Sequence, residues 1–123
     1  MTDITIKNGS LDLAASVYGP EGAPDLLFLH GIAGSRDTWE EAVTRLKDRF
    51  HVWTLDFRGH GHSDRAGRYL VEDYAADAAA ALEVIRRPTI IVSHSLGAVT
   101  GAFLAQAPHP FLKAVFMEDP PYF

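Results

Sequence analysis

The hydrophobic pattern of the chain changes period along its length. Ile4, Ile6, Leu11, Leu13 and Val17 alternate with polar or small neighbours about Asn8-Gly9-Ser10, the two-residue rhythm of half-buried strands joined by a tight hairpin. Beyond a turn opened by Gly19-Pro20, Leu26-Leu27-Phe28-Leu29 is continuously apolar, as in a strand covered on both faces within a parallel sheet. The spacing of Trp39, Val43 and Leu46 predicts a helix over 37–50 with Asp37 near its start. Val52-Trp53-Thr54-Leu55 predicts the next strand.

A glycine-rich segment, Arg58-Gly59-His60-Gly61-His62-Ser63, leads past Tyr69 to an alanine- and acid-rich stretch that predicts a helix over 72–86. A strand over 89–92, a helix over 96–106 and a strand over 114–117 complete the order. Strands alternating with helices through short connections define an α/β class: a mostly parallel sheet, an N-terminal antiparallel hairpin, and helices on both faces. The last strand is expected at a sheet edge, with unpaired backbone groups.

Composition narrows the function classes. The 123 residues are 47% hydrophobic, enough for one core in one domain. With 16 acidic against 11 basic residues the net charge is −5, and no basic cluster exceeds Arg86-Arg87, so the footprint of a nucleic-acid binder is lacking. Cysteine is absent, which excludes a disulfide framework and a thiolate metal site. No leader pattern opens the sequence, and no apolar run approaches the ~18 residues that span a bilayer. A cytoplasmic protein with neither nucleic-acid nor membrane partners is the expectation.

Ligands of open parallel sheets bind outside the carboxyl ends of the strands, so the chemistry is sought just after each one. His30-Gly31-Ile32-Ala33-Gly34-Ser35 follows the first buried strand, Asp56-Phe57-Arg58-Gly59-His60-Gly61-His62-Ser63-Asp64 the next, and Ser93-His94-Ser95-Leu96-Gly97 the third. The third segment sets Ser95 between a β-branched strand and an Ala/Gly-rich helix. This is the nucleophile-elbow pattern, which lifts a hydroxyl clear of the sheet and points a helix N-terminus at the reaction. Together and in this order, the three motifs resemble the α/β-hydrolase superfamily, specifically members with a His-Gly oxyanion loop and an Asp-x-Arg-Gly-His-Gly-x-Ser segment. The resemblance runs over 4–121 and matches that fold's N-terminal portion through its sixth strand. It implies that residues 1–123 form an incomplete core, without the cap, the last two strands and the late catalytic histidine.

By position, the resemblance makes Ser95 the nucleophile and assigns the two oxyanion-hole amides to Ile32 and Leu96. It gives loop-scaffolding roles to His30, Gly31, Asp56, Arg58, Gly59, His60, Gly61 and Gly97, and implies no cofactor and no metal. One departure lies inside the elbow, where Ser93 replaces the usual glycine. A serine hydroxyl needs a base, and the base needs an orienting carboxylate; Glu118 or Asp119, at the end of the final strand, is the candidate acid. The histidine after Ser95 is His109, which the intervening helix carries ~16 Å away to the opposite edge of the sheet.

The implied function is a serine hydrolase that forms an acyl-enzyme from an ester, lactone or related small substrate. Its histidine would come from a complementary C-terminal half or a second chain. The alternative is a catalytically incomplete fragment or pseudoenzyme that binds a ligand or partner. A dinucleotide site is a third reading, on Gly31, Gly34 and Asp56, without the Gly-x-Gly-x-x-Gly spacing. Plainer roles are expected elsewhere: His94 as structural, His60 and His62 as loop scaffold rather than a metal pair, Trp39 and Trp53 as core or pocket wall. Pro120-Pro121-Tyr122-Phe123 reads as the stump of a longer chain.

Overall fold

A computed structural model describes residues 1–119 of the chain. Strands β1 (Thr2–Asn8) and β2 (Leu11–Tyr18) form the expected hairpin, closing on Gly9-Ser10 with Asn8 opposite Leu11. The strands β3 (Asp25–Leu29) and β4 (His51–Leu55) are buried at every position, as their unbroken apolar runs require. β5 (Thr89–His94) and β6 (Leu112–Glu118) follow, and α1 (Glu40–Leu46), α2 (Val71–Ile85) and α3 (Leu96–Ala105) are the helices among the described residues.

One six-stranded sheet runs in the order β1-β2-β4-β3-β5-β6. β2 joins β4 antiparallel, whereas β4, β3, β5 and β6 are mutually parallel. Side-chain alternation in β3 divides the core. Leu27 and Leu29 pack with Leu55 and Ile91 beneath the Tyr74, Ala78, Leu82 and Ile85 stripe of α2, against which Leu96 and Leu104 of α3 also lie. Leu26 and Phe28 face the other way, onto Trp39 and Val43, with Phe28 and Trp39 edge-on at 4.9 Å. Helices thus cover both faces, and each large side chain so buried contributes about 1.5–3 kcal/mol.

The segment over 37–50 departs from expectation. It opens as a 3-10 turn, Arg36–Trp39, becomes α-helical at Glu40 and stops at Leu46. Ser35, not Asp37, is the cap. Its Oγ accepts from Asp37 N at 3.2 Å while Thr38 Oγ1 accepts from Ser35 N at 3.3 Å, a reciprocal box that Asp37, already inside the turn, cannot form.

Topology brings the loops after β3 and β5 together. From β3 the chain moves outward to β4 on one side and later to β5 and β6 on the other, so the order reverses between β3 and β5. A crevice opens at such a switch point, outside the carboxyl ends of the two strands; those ends carry His30-Gly31 and Ser95. On the outer flank β6 pairs only with β5 among the described residues, leaving Phe116 66% exposed. Residues 120–123, read above as a stump, lie outside the described part. No described helix is long and apolar enough to cross a membrane.

Candidate active site

Ser95 sits at φ 51°, ψ −112°, a conformation that costs a non-glycine residue about 1–3 kcal/mol and persists only where its surroundings enforce it. Three contacts do so. Ser95 N donates to Glu118 O at 3.1 Å, and Ser93 Oγ donates to Phe116 O at 2.8 Å, so the bend is tied to β6. On the helix side, a Cβ on Gly97 would lie 2.3 Å from Leu29 O; only glycine lets α3 start this close to β3. The serine at 93 is accommodated because α3 presents Gly101 there, where a Cβ would lie 3.5 Å from Ser93 Oγ.

The loop after β3 backs directly onto this bend. A Cβ placed on Gly31 would come 3.2 Å from Ser95 Cβ and 3.3 Å from His94 Cδ2. Ile32 follows, 72% exposed, with its N–H in none of the described backbone hydrogen bonds. Leu96 N belongs to the first turn of α3, whose amides have no intrahelical acceptor. Ser95, Ile32 and Leu96 are therefore gathered at one sheet edge, at the positive end of a ten-residue helix.

His30 holds the loop in place. Its ring is fully buried; Nε2 accepts from Phe57 N at 3.1 Å, so Nδ1 carries the proton and donates to Gly31 O at 2.7 Å. Burial lowers its pKa, opposed by the Gly31 carbonyl. The imidazole thus works as a neutral brace between the loops after β3 and β4.

The second loop is organised by carboxylates. Buried Asp56 accepts from Arg36 N at 2.6 Å and His62 N at 3.0 Å, and a Cβ on Gly61, at φ +52°, would lie 2.2 Å from its Oδ2. Arg58 grips Asp77 of α2 with Nη2 at 2.8 Å and Nε at 3.1 Å, while its own N–H donates to the same carboxylate at 3.0 Å. Those hydrogen bonds raise the Arg58 pKa against desolvation. Asp73, one turn earlier, caps α2 by accepting from Leu70 N at 2.9 Å, and its hydrogen bond with Arg68 helps bring its pKa to about 2. Asp77 and Asp73 are structural residues of this loop that sequence reasoning missed; the available signal was two aspartates four apart on an alanine-rich face.

Gly59 lies under Tyr69, whose Cε1 would be 2.6 Å from an added Cβ. His60 Nδ1 bonds Arg58 O at 2.9 Å, and His62 Nδ1 is 3.4 Å from Arg36 Nη2, so the two rings are engaged separately within the loop. Trp39 and Trp53 are core residues. His109 precedes β6 and lies near Glu83, 3.4 Å away; because Leu112 pairs with Thr89, the first residue of β5, this histidine is at the amino ends of the strands, remote from Ser95. No described hydrogen bond joins an imidazole to Ser95 Oγ. Of the two candidate acids, Glu118 ends β6 with Oε1 3.2 Å from His94 Nδ1, and Asp119 follows exposed, at φ 50°.

The α/β-hydrolase-fold family model matches residues 24–123. A 2-(acetamidomethylene)succinate hydrolase of Mesorhizobium japonicum is 39% identical over 80% of this chain and 37% of its own. A bifunctional esterase/perhydrolase of Acinetobacter calcoaceticus is 34% identical over 96% of this chain and 44% of its own. The crystal structure of E-2-(acetamidomethylene)succinate hydrolase superposes with a TM-score of 0.84 at 33% identity, over 93% of this chain and 42% of that one. The chain spans less than half the length of these relatives. An Ser95 elbow at the switch point of a mostly parallel sheet, together with these matches, places the chain in the α/β-hydrolase family.

Proposed function

We propose that the chain carries the nucleophile and oxyanion hole of a serine hydrolase acting on a small ester, lactone or related acyl substrate. Ser95 Oγ attacks the acyl carbon; the carbonyl π electrons move to oxygen, and the developing charge is met by Ile32 N and Leu96 N. Collapse expels the alcohol, which leaves with a proton relayed from the hydroxyl, and water then releases the acid from Ser95. Each fixed amide contributes roughly 3–4 kcal/mol to such a transition state. The base is an imidazole from a complementary segment: no described hydrogen bond joins an imidazole of this chain to Ser95 Oγ, His30 is committed to its brace and His109 is at the amino ends of the strands. The observation that carries this reading is the strained Ser95 backbone beside Gly31 and the α3 N-terminus. The Acinetobacter calcoaceticus relative is a bifunctional esterase/perhydrolase, which supports the substrate class.

Treatment of the chain, assembled with the segment that supplies its base, with a fluorophosphonate followed by peptide mass spectrometry tests it. Phosphonylation at Ser95, lost in Ser95→Ala, is expected; a preparation in which Ser95 stays unmodified overturns the reading, and leaves a binding role without catalysis.

A further inference from the structure

We propose that Glu118 and His94 form a positioning pair that holds the oxyanion loop at its working distance from Ser95, so that Glu118 is not the acid of the triad. This rests on the function proposed above. His94 and Glu118 are direct partners in the parallel register of β5 and β6, which puts their side chains side by side on one face. His94 Nδ1 is sealed from solvent and makes no aligned hydrogen bond, yet Glu118 Oε1 lies 3.2 Å from it. A buried ring nitrogen left without any acceptor is costly, so the carboxylate is the group that fixes this ring. The far side of the ring does the positioning: Cδ2 borders the space beside Gly31, the residue before Ile32, where an added Cβ would lie 3.3 Å from it.

Glu118 therefore acts on the bend in two ways. Its carbonyl receives Ser95 N, and its carboxylate sets His94 against the loop that supplies the second amide. Donor placement matters at this scale, because a shift of ~1 Å in a reacting group can cost about 10²-fold in rate. A triad acid, by contrast, must face an imidazole that reaches the Ser95 hydroxyl, and His94 makes no such bond among the described residues.

Two variants, Glu118→Ala and Glu118→Gln, separate the roles; the glutamine keeps an acceptor for His94. In ¹⁵N-labelled protein the Gly31 and Ile32 amide resonances should shift in Glu118→Ala and return toward wild type in Glu118→Gln. Unmoved amides in Glu118→Ala overturn the proposal, whether or not the protein is catalytically active. In turnover of p-nitrophenyl acetate by the protein assembled with the segment that supplies its base, Glu118→Ala should lower kcat roughly tenfold with KM little changed, and Glu118→Gln should restore it to within about threefold. A loss of about 10⁴ in Glu118→Gln is the signature of a triad acid and would also overturn it. An assembled wild-type protein that neither turns over the ester nor takes the fluorophosphonate sinks the hydrolase reading alone, since the amide shifts still report on the pair.

Discussion

Arg58 and Asp77 meet between the loop after β4 and the middle of α2 as a two-pronged ion pair, with Arg58 8% and Asp77 0% exposed. Asn8 of the hairpin donates to the same carboxylate at 2.8 Å, so the hairpin and the loop after β4 converge on one side chain of α2. Removing one partner leaves the other charged and dry. Asp77→Ala should cost about 3–5 kcal/mol in urea denaturation. Removing the exposed Glu41–Arg45 pair by Arg45→Ala should change stability by no more than about 0.5 kcal/mol. Equal effects of the two substitutions would contradict the account.

That contrast shows what was legible in the sequence. The continuous run at Leu26-Leu29, the alternation at Ile4 and Ile6, and the strand-serine-helix junction at Ser95 are local signals, and each element exists where its period placed it. Arg58 could be recognised as a scaffold residue, but its partner could not, because Asp77 becomes a neighbour only when α2 docks on the sheet. The same holds for His94 and Glu118, which depend on the β5–β6 register. Ser35 was overlooked for a different reason. Asp37 and Ser35 are both good caps, and the choice turns on whether the helix opens with a 3-10 turn.

Close backbone approach at the elbow makes a graded prediction. A methyl group at Gly97 would lie 2.3 Å from a strand carbonyl, whereas one at Gly101 would lie 2.7 Å from a Val115 side-chain methyl, which can rotate away. Gly97→Ala should cost about 3 kcal/mol and displace the bend. Gly101→Ala, whose crowding is offset by up to about 1 kcal/mol of helix propensity, should cost about 1 kcal/mol. Thermal denaturation of the two variants checks the order, and a reversed order would contradict the packing described.

Burial depresses the His30 pKa below its ordinary 6.5, which ties stability to pH in a defined direction. As pH falls through 6.5 the unfolded chain takes up this proton before the folded one does, so the contribution is complete above about pH 6.5 and is lost below it. His30→Gln should be less stable than wild type at pH 7.5 yet lose less on going to pH 5.5. Urea midpoints at both values supply the test, and parallel losses in the two proteins would show that His30 is not the group responsible.

At Ile32 the reading of the site separates backbone from side chain. Ile32 is 72% exposed, so in the protein assembled with the segment that supplies its base Ile32→Ala should leave kcat for a short ester within about twofold. Ile32→Pro keeps an apolar side chain but deletes the N–H, and one missing oxyanion donor lowers kcat by about 10² to 10³. KM should change little in either variant, because the amide is called on chiefly when charge has built up on the carbonyl oxygen. Circular dichroism and the Phe57 amide resonance, which reports the His30 brace, establish that the loop after β4 is still held in the proline variant. If that brace is intact and Ile32→Pro nonetheless turns over ester at the wild-type rate, the second oxyanion amide belongs to a residue other than Ile32.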